Sequence, residues 1–123
     1  MTNEARAEPS LLELCLARRN NNVIEMKYHQ KDIVEIDFPI PGEGYKVHPA
    51  LVVSNDELQL DEGFVYVALI SSQDFAYSRH YAYPLSDEML SFKMEKQSYV
   101  KCQILAVTVD TGILRRLGSI KER

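Results

Sequence analysis

Residues 32–38 have the sequence DIVEIDF, and this segment decides the fold class. Val34, Ile36 and Phe38 stand at alternate positions with carboxylates between them, which is the period of a strand that buries one face. Pro39 is expected to end the strand, because proline has no amide hydrogen to give to a sheet. From this point onward the pattern is that of a β protein.

Further strands are predicted where β-branched and aromatic residues lie between turn residues. Their bounds are 49–53, 64–70, 79–85 and 98–109. The segment FVYVALI at 64–70 is apolar almost throughout, which suits a strand buried on both faces. Five short strands with little helix predict a mainly β protein with short helices, folded as a small barrel or a strongly bent sheet. The sheet edges favour a homodimer.

Two short helices are predicted in the second half of the chain. Ser86 is expected to cap one over residues 87–90. Asp110 is expected to begin a last helix, which Gly118 would end in the left-handed conformation. That helix would turn three apolar residues to one side: Ile113, Leu114 and Leu117.

The first 25 residues differ from the rest. Ser10 and Glu13 have the spacing of a capping box, and a short apolar face follows, formed by Leu11, Leu12, Cys15 and Leu16. Residues 1–25 are therefore predicted to be an N-terminal extension, either a short helix with a linker or a poorly ordered tail. Residues 26–123 are predicted to be one domain.

The composition indicates a single soluble domain. The chain has 123 residues, of which 46% are apolar and 26% charged, enough for one core. No apolar run reaches the roughly 18–20 residues that cross a bilayer, and a secretory signal pattern is missing. The net charge of −4 argues against a large basic surface for duplex nucleic acid.

Cysteine usage and the common motifs exclude several kinds of chemistry. Cys15 and Cys102 are far apart in sequence, which suggests no disulfide framework and fits a reducing cytoplasm. The sequence has no phosphate-binding glycine loop, no Cys/His metal pattern and no Gly-x-Ser-x-Gly motif. Any chemistry is expected to need neither a metal nor a cofactor.

Polar candidates for a site cluster where the predicted strands end. Loop 41–49 carries Glu43, Lys46 and His48, which place a carboxylate, an ammonium and an imidazole within six positions. Such a set can move a proton and hold a phosphate. The alternative is a solvated hairpin loop.

Two further groups could contact a nucleic acid. Hydroxyls of Ser71 and Ser72 could donate to a phosphate oxygen, or they could begin a turn. The second of them is Tyr77, Arg79 and His80. Arg79 could hold a phosphate through two hydrogen bonds, and tyrosines such as Tyr77 could stack on bases. The alternative for this last group is an exposed strand face.

Other charges are interpreted as solvated surface. Lys93, Lys96 and Lys101 are interspersed with acidic residues, as on an exposed face. Arg115 and Arg116 are assigned to the polar side of the predicted last helix, with a smaller chance of contacting RNA or a partner.

Five segments in order resemble the MazF/PemK family of toxin–antitoxin toxins. They are 32–39 (DIVEIDFP), 48–56 (HPALVVSND), 67–72 (VALISS), 97–102 (QSYVKC) and 109–118 (VDTGILRRLG). The resemblance implies an SH3-like barrel of the CcdB/MazF type that forms a homodimer. It also implies a cytoplasmic protein that does not contact membranes.

The activity that the resemblance implies is a sequence-preferring, metal-independent endoribonuclease. In such enzymes the 2′-hydroxyl of single-stranded mRNA attacks the adjacent phosphate, which leaves a 2′,3′-cyclic phosphate and a 5′-hydroxyl. The reaction needs a base, an acid and charge stabilisation. A cognate antitoxin protein would fill the RNA groove, and operator DNA would be reached only through that antitoxin.

The resemblance carries over to individual residues unevenly. Glu43 falls where the family often has an acidic residue, and Ser71 where a threonine or serine contacts the scissile phosphate. His48 falls where the family usually has a catalytic arginine. Histidine can replace its proton transfer but not its permanent charge, which Lys46 could supply. Some family members have a second arginine in the loop after the third strand. In this sequence Tyr77 or Arg79 is the residue nearest to that position.

These arguments predict two sets of site residues. The catalytic set is His48, Glu43, Ser71 and Arg79, with Glu43 or His48 as the base and His48 or an arginine as the acid. The substrate-binding set is Lys46, Ser72, Tyr77 and His80.

Two other functions stay open on the sequence alone. The histidine in place of the arginine is compatible with a catalytically weakened member that binds RNA or an antitoxin. A gyrase-directed toxin on the same fold is disfavoured, because those toxins use a tryptophan near the C-terminus and this chain has none. Since family members commonly start near Met26, that residue is one hypothesis for the native start.

Overall fold

The computed structural model describes residues 26–73 and 80–121. Six strands form its framework: β1 (Asp32–Ile40), β2 (Gly44–Val52), β3 (Val65–Ser71), β4 (Ala82–Leu85), β5 (Ser98–Thr108) and β6 (Ile113–Ser119). A single α-helix in these residues, α1, spans Asp56–Glu62. Short 3₁₀ turns lie at Asp87–Met89 and Asp110–Gly112. The predicted N-terminal helix lies outside the described residues.

The six strands make one antiparallel sheet in the order β4-β5-β3-β2-β1-β6. The sheet does not close, but its two ends approach each other. Leu90, which follows β4, forms an isolated bridge with Ile120, which follows β6, and the Ser91 amide donates to the Ser119 carbonyl at 2.9 Å. The sheet must therefore bend strongly. The prediction of a mainly β fold with short helices is confirmed.

Each face of the sheet buries its own apolar cluster. The inner face carries Val34, Ile36, Phe38, Ala50, Val52, Val65, Val67, Leu69 and Ile113. The outer face carries Ile33, Ala68, Ile70, Leu85, Leu90 and Val100. β3 contributes residues to both clusters, so the prediction that this strand is buried on both faces is confirmed. The β1 alternation is likewise confirmed, but the prediction that Pro39 ends this strand is wrong, because β1 continues through Pro39, which lies opposite Tyr45, to Ile40.

The prediction that residues 41–49 form a loop is wrong from Gly44 onward. Gly42 and Gly44 have φ angles of 78° and 79°, which glycine adopts without steric cost. They allow a three-residue turn, after which β2 pairs with β1 at once, with Gly44 opposite Ile40 and His48 opposite Ile36. The functional side chains of this segment therefore stand on a strand.

The predicted last helix is also wrong. After the turn at Asp110–Gly112 the chain continues as β6, which pairs with β1. The apolar spacing of this segment fits a helix face, but pairing with an open strand edge overrides such local preference. Gly118 ends no helix; it is buried in β6, where a Cβ would overlap the Phe92 ring and the Ser91 hydroxyl.

Three smaller differences complete the comparison. Helix α1 was not predicted, although the Asn55 side chain accepts from the Leu58 amide at 2.8 Å and Gly63 ends the helix at φ 77°. β4 begins at Ala82 rather than at residue 79. Ser86 precedes a 3₁₀ turn and makes no side-chain cap hydrogen bond. Because β6 is a strand where a helix was predicted, the described residues contain six strands rather than five.

Charged residues of the sheet also depart from the predictions. Arg115 and Arg116 lie on β6 rather than on a helix, and they contact Glu35 and Asp32 of β1, each at 3.1 Å. Lys101 belongs to no solvated face, because it is 3% exposed. No helix within residues 26–73 and 80–121 is both long and apolar enough to cross a membrane.

Candidate functional site

The inner face of the sheet changes from apolar to polar at one end of its strands. Alternate residues of a strand share a face, so each strand can be followed from the core to this rim. The inner-face series on β2 is Val52, Ala50, His48 and Lys46, and on β3 it is Val67, Leu69 and Ser71. His48, Lys46 and Ser71 are thus the continuation of the core pattern beyond the apolar cluster.

Strand β5 adds a buried cation to the same rim. Lys101 pairs with Leu69 and Tyr99 pairs with Ser71, so both side chains share the inner face. Lys101 is 3% exposed, and its Nζ lies 5.7 Å from the centroid of the Tyr99 ring. Sequence reasoning missed this residue. The available signal was its position two residues after Tyr99 in a predicted strand.

A groove of about 390 Å³ opens at this rim. Five of the predicted site residues line it: Glu43, Lys46, His48, Ser71 and Ser72. Gln73, Lys101 and Gln103 complete its polar lining. Leu69 and Ile104 form part of its apolar floor. The structure therefore brings the first two sequence groups together, from different strands, around one cavity.

Glu43 and Lys46 form an ion pair at the mouth of the groove. Lys46 Nζ donates to Glu43 Oε1 at 2.8 Å, with both side chains 56% exposed. The hydrogen bond and the charge of Lys46 lower the pKa of Glu43, and the charge of His48 adds to this effect. A carboxylate stabilised in its ionised form is a weaker base, so the pair is better suited to holding a substrate than to removing a proton.

His48 is oriented by the backbone of the neighbouring strand. Its Nδ1 lies 3.3 Å from the Ile70 carbonyl oxygen. Because a carbonyl oxygen only accepts hydrogen bonds, this contact assigns a proton to Nδ1. In the neutral ring Nε2 is then the nitrogen with a free lone pair. The partly buried imidazole is thereby prepared to accept a proton at Nε2.

The serines differ in their surroundings. The half-buried Ser71 accepts a hydrogen bond from the Gln73 amide at 3.2 Å through Oγ, which leaves its O–H available as a donor. Ser72 is exposed at the groove. His80 is exposed and does not line the groove. Tyr77 and Arg79 lie outside the described residues.

A second cavity, of about 330 Å³, lies at the opposite end of β3, between α1 and residues 26–28. It contains none of the predicted site residues. Its buried polar side chain, Gln59, is engaged with the Tyr28 carbonyl at 2.8 Å and with the Ser54 hydroxyl at 2.8 Å. Within residues 26–73 and 80–121, no group of three or more His, Cys, Asp or Glu is arranged to hold a metal ion.

Comparison with protein families identifies a relationship for most of the chain. The model of a family described as PemK-like, MazF-like toxin of type II toxin–antitoxin system matches residues 29–123. The match includes all six strands and every residue of the groove. None of the curated proteins compared with the chain matches it.

Proposed function

Because the chain belongs to the PemK-like, MazF-like toxins of type II toxin–antitoxin systems, we propose that it cleaves single-stranded mRNA as a metal-independent endoribonuclease. One observation carries the proposal: the groove gathers an oriented imidazole, a hydroxyl and a buried ammonium from three different strands. These are the groups needed to move a proton and to stabilise a charged phosphate.

The proposed reaction uses the 2′-hydroxyl of the RNA as the nucleophile. His48 Nε2 takes the 2′-hydroxyl proton, and the 2′-oxygen bonds to the adjacent phosphorus. The bond from phosphorus to the 5′-oxygen breaks, and that oxygen takes a proton from water or a groove ammonium. The products are a 2′,3′-cyclic phosphate and a 5′-hydroxyl. DNA has no 2′-hydroxyl and is spared.

Lys101 is proposed to supply the permanent positive charge that a histidine lacks. Lys101 lines the groove and is 3% exposed, and a fixed charge shielded from water acts more strongly on a developing anion. Ser71 would donate to the same phosphate. Arg79 lies outside the described residues, and its role as a second positive charge near the phosphate stays a prediction.

The charge pair at the groove mouth is proposed to bind rather than to react. Lys46 would contact a phosphate next to the scissile one, while Glu43 holds the ammonium in place at 2.8 Å. Ser72 would contribute a further hydrogen bond. Glu43 as the general base is disfavoured, since its lowered pKa weakens its pull on a hydroxyl proton.

Two protein partners are part of the proposal. β4 pairs only with Ser98–Lys101 of β5. In the part of the chain that the structure describes, residues 103–108 of β5 therefore have no strand partner on the edge that faces away from β3. Leu105 and Val107 are 62% and 54% exposed there. An uncharged antiparallel edge can pair with a second copy of itself, which supports a homodimer. The cognate antitoxin would inhibit the toxin by occupying the groove.

The test is cleavage of a defined single-stranded RNA by purified protein in EDTA. We expect fragments with 2′,3′-cyclic phosphate and 5′-hydroxyl ends, and no cleavage when the nucleotide before the scissile phosphate is 2′-deoxy. Binding without cleavage would instead support a weakened member that acts by binding RNA or its antitoxin, which the histidine at the arginine position favours as the second candidate.

A further inference from the structure

We propose that Tyr99 is a stacking platform for the nucleobase next to the scissile phosphate, an inference that rests on the proposed nuclease function. Tyr99 lies directly opposite Ser71 in the β3–β5 pair. The groove-lining Ser71 and the partly exposed Tyr99 ring therefore stand side by side on the inner face, at the polar rim.

The spacing of the sheet places the ring where a base must lie. Neighbouring strands are roughly 4.8 Å apart, so the backbone of Tyr99 is about one strand spacing from that of Ser71, and both side chains leave the sheet on the same face. A groove of about 390 Å³ has the size of a site for one small molecule. It can enclose the reacting ribose and phosphate, and the attached base then extends along the rim.

The contact between Tyr99 and Lys101 ties this platform to the catalytic charge. The Lys101 ammonium lies 5.7 Å from the centroid of the Tyr99 ring, within the range of a cation–π contact. That contact orients the ring relative to the cation that would face the phosphate. Stacking on an aromatic ring accepts every base, so Tyr99 would strengthen binding without selecting the sequence.

Tyr83 provides a matched control from the same part of the sheet. It lies opposite Val100, which belongs to the outer-face cluster, so its side chain stands on the other side of the sheet from Tyr99. Tyr83 is 55% exposed, so an indole there is more accessible to RNA and solvent than one at the partly exposed Tyr99, and poor access cannot explain a missing response at Tyr83. A difference between the two positions reports the inner face specifically.

The first experiment is fluorescence, because the chain contains no tryptophan. Tyr99→Trp and Tyr83→Trp each introduce a single indole that can stack like tyrosine. They are titrated with a non-cleavable RNA that is 2′-deoxy before the scissile phosphate. We expect RNA to quench the emission of Tyr99→Trp only. An abasic nucleotide beside the scissile phosphate should abolish the quenching.

The second experiment measures the affinity for the same RNA. Tyr99→Ala should weaken binding about 5- to 150-fold, the range for loss of one stacked base, while Tyr99→Phe keeps the affinity. The abasic RNA should lose affinity with the wild-type protein but lose little more with Tyr99→Ala, because both changes remove the same contact.

The outcomes separate this inference from the function beneath it. If the wild-type protein cleaves RNA but the emission of Tyr99→Trp does not respond to RNA, the proposal that Tyr99 stacks on a base is wrong, and the proposed nuclease activity is unaffected. Equal responses at Tyr99 and Tyr83 would also overturn it. If the wild-type protein neither binds nor cleaves RNA, both proposals fail. The tryptophan readout does not depend on the fold tolerating Tyr99→Ala.

Discussion

Replacing His48 tests the centre of the proposed mechanism. Loss of a positioned proton-transfer group typically costs about 10²–10⁴-fold in rate. The contact that orients this ring, from Nδ1 to the Ile70 carbonyl, is long at 3.3 Å, so the ring is held weakly. We therefore expect His48→Ala to lose about 10²-fold in single-turnover cleavage, at the lower end of that range.

His48→Asn separates the two nitrogens of the ring. An asparagine amide can still donate to the Ile70 carbonyl from roughly the position of Nδ1, but it has nothing at the position of Nε2. If Nε2 is the base, His48→Asn should be as slow as His48→Ala. His29→Asn is the matched control, because His29 contacts Asp56 at 2.8 Å and does not line the groove.

The pH dependence gives the same test a second readout. The pKa of Glu43 is lowered by Lys46, so this carboxylate is ionised throughout about pH 5 to 8 and adds no inflection there. A general base acts only in its deprotonated form. The wild-type kcat/KM should rise with pH through one inflection, and His48→Asn should remove it. An unchanged rate and profile in His48→Asn would refute the assignment.

Three further predictions use other contacts. Lys101→Met should lower kcat about 10²–10³-fold, because it removes the positive charge proposed to stabilise the phosphate. Lys101→Arg keeps a positive charge and should retain more activity. The pKa of the Glu43 carboxyl should lie below 4.5 when it is followed by carbon-detected NMR, because Lys46 stabilises the carboxylate. The Glu43–Lys46 ion pair therefore persists at neutral pH and is lost only as the pH falls through that lowered pKa. Lys46→Met should raise the pKa of Glu43. Gly118→Ala should destabilise the protein by about 1–3 kcal/mol in urea denaturation, since the new methyl group overlaps Phe92.

Local sequence was sufficient to predict most of the sheet. β1 alternates apolar and acidic residues, β3 is almost continuously apolar, and β5 is rich in β-branched and aromatic residues; the structure has strands in each of these places. β6 was missed because its choice depends on pairing with an edge of β1, which local sequence does not encode. β2 was shortened because Gly42 and Gly44 allow a tighter turn than a glycine-rich loop suggests.

The residues of the groove were easier to predict than their arrangement. A carboxylate, an ammonium and an imidazole within one short segment indicated Glu43, Lys46 and His48, and the structure places all three at the same groove. Lys101 was missed, because a lysine beside other charges usually marks solvated surface. Its burial follows from strand register, which sets Lys101 opposite Leu69 of the core.

The pairing of β1 with β6 has a consequence for how the protein is made. The Arg115–Glu35 contact joins residues 80 positions apart, so one edge of β1 stays open until nearly all of the strands have left the ribosome. Synthesis runs from the N-terminus, and contacts this distant in sequence form slowly. A toxin in which β6 covers one edge of β1 is expected to gain activity only after β6 has been translated, which leaves time for an antitoxin to bind.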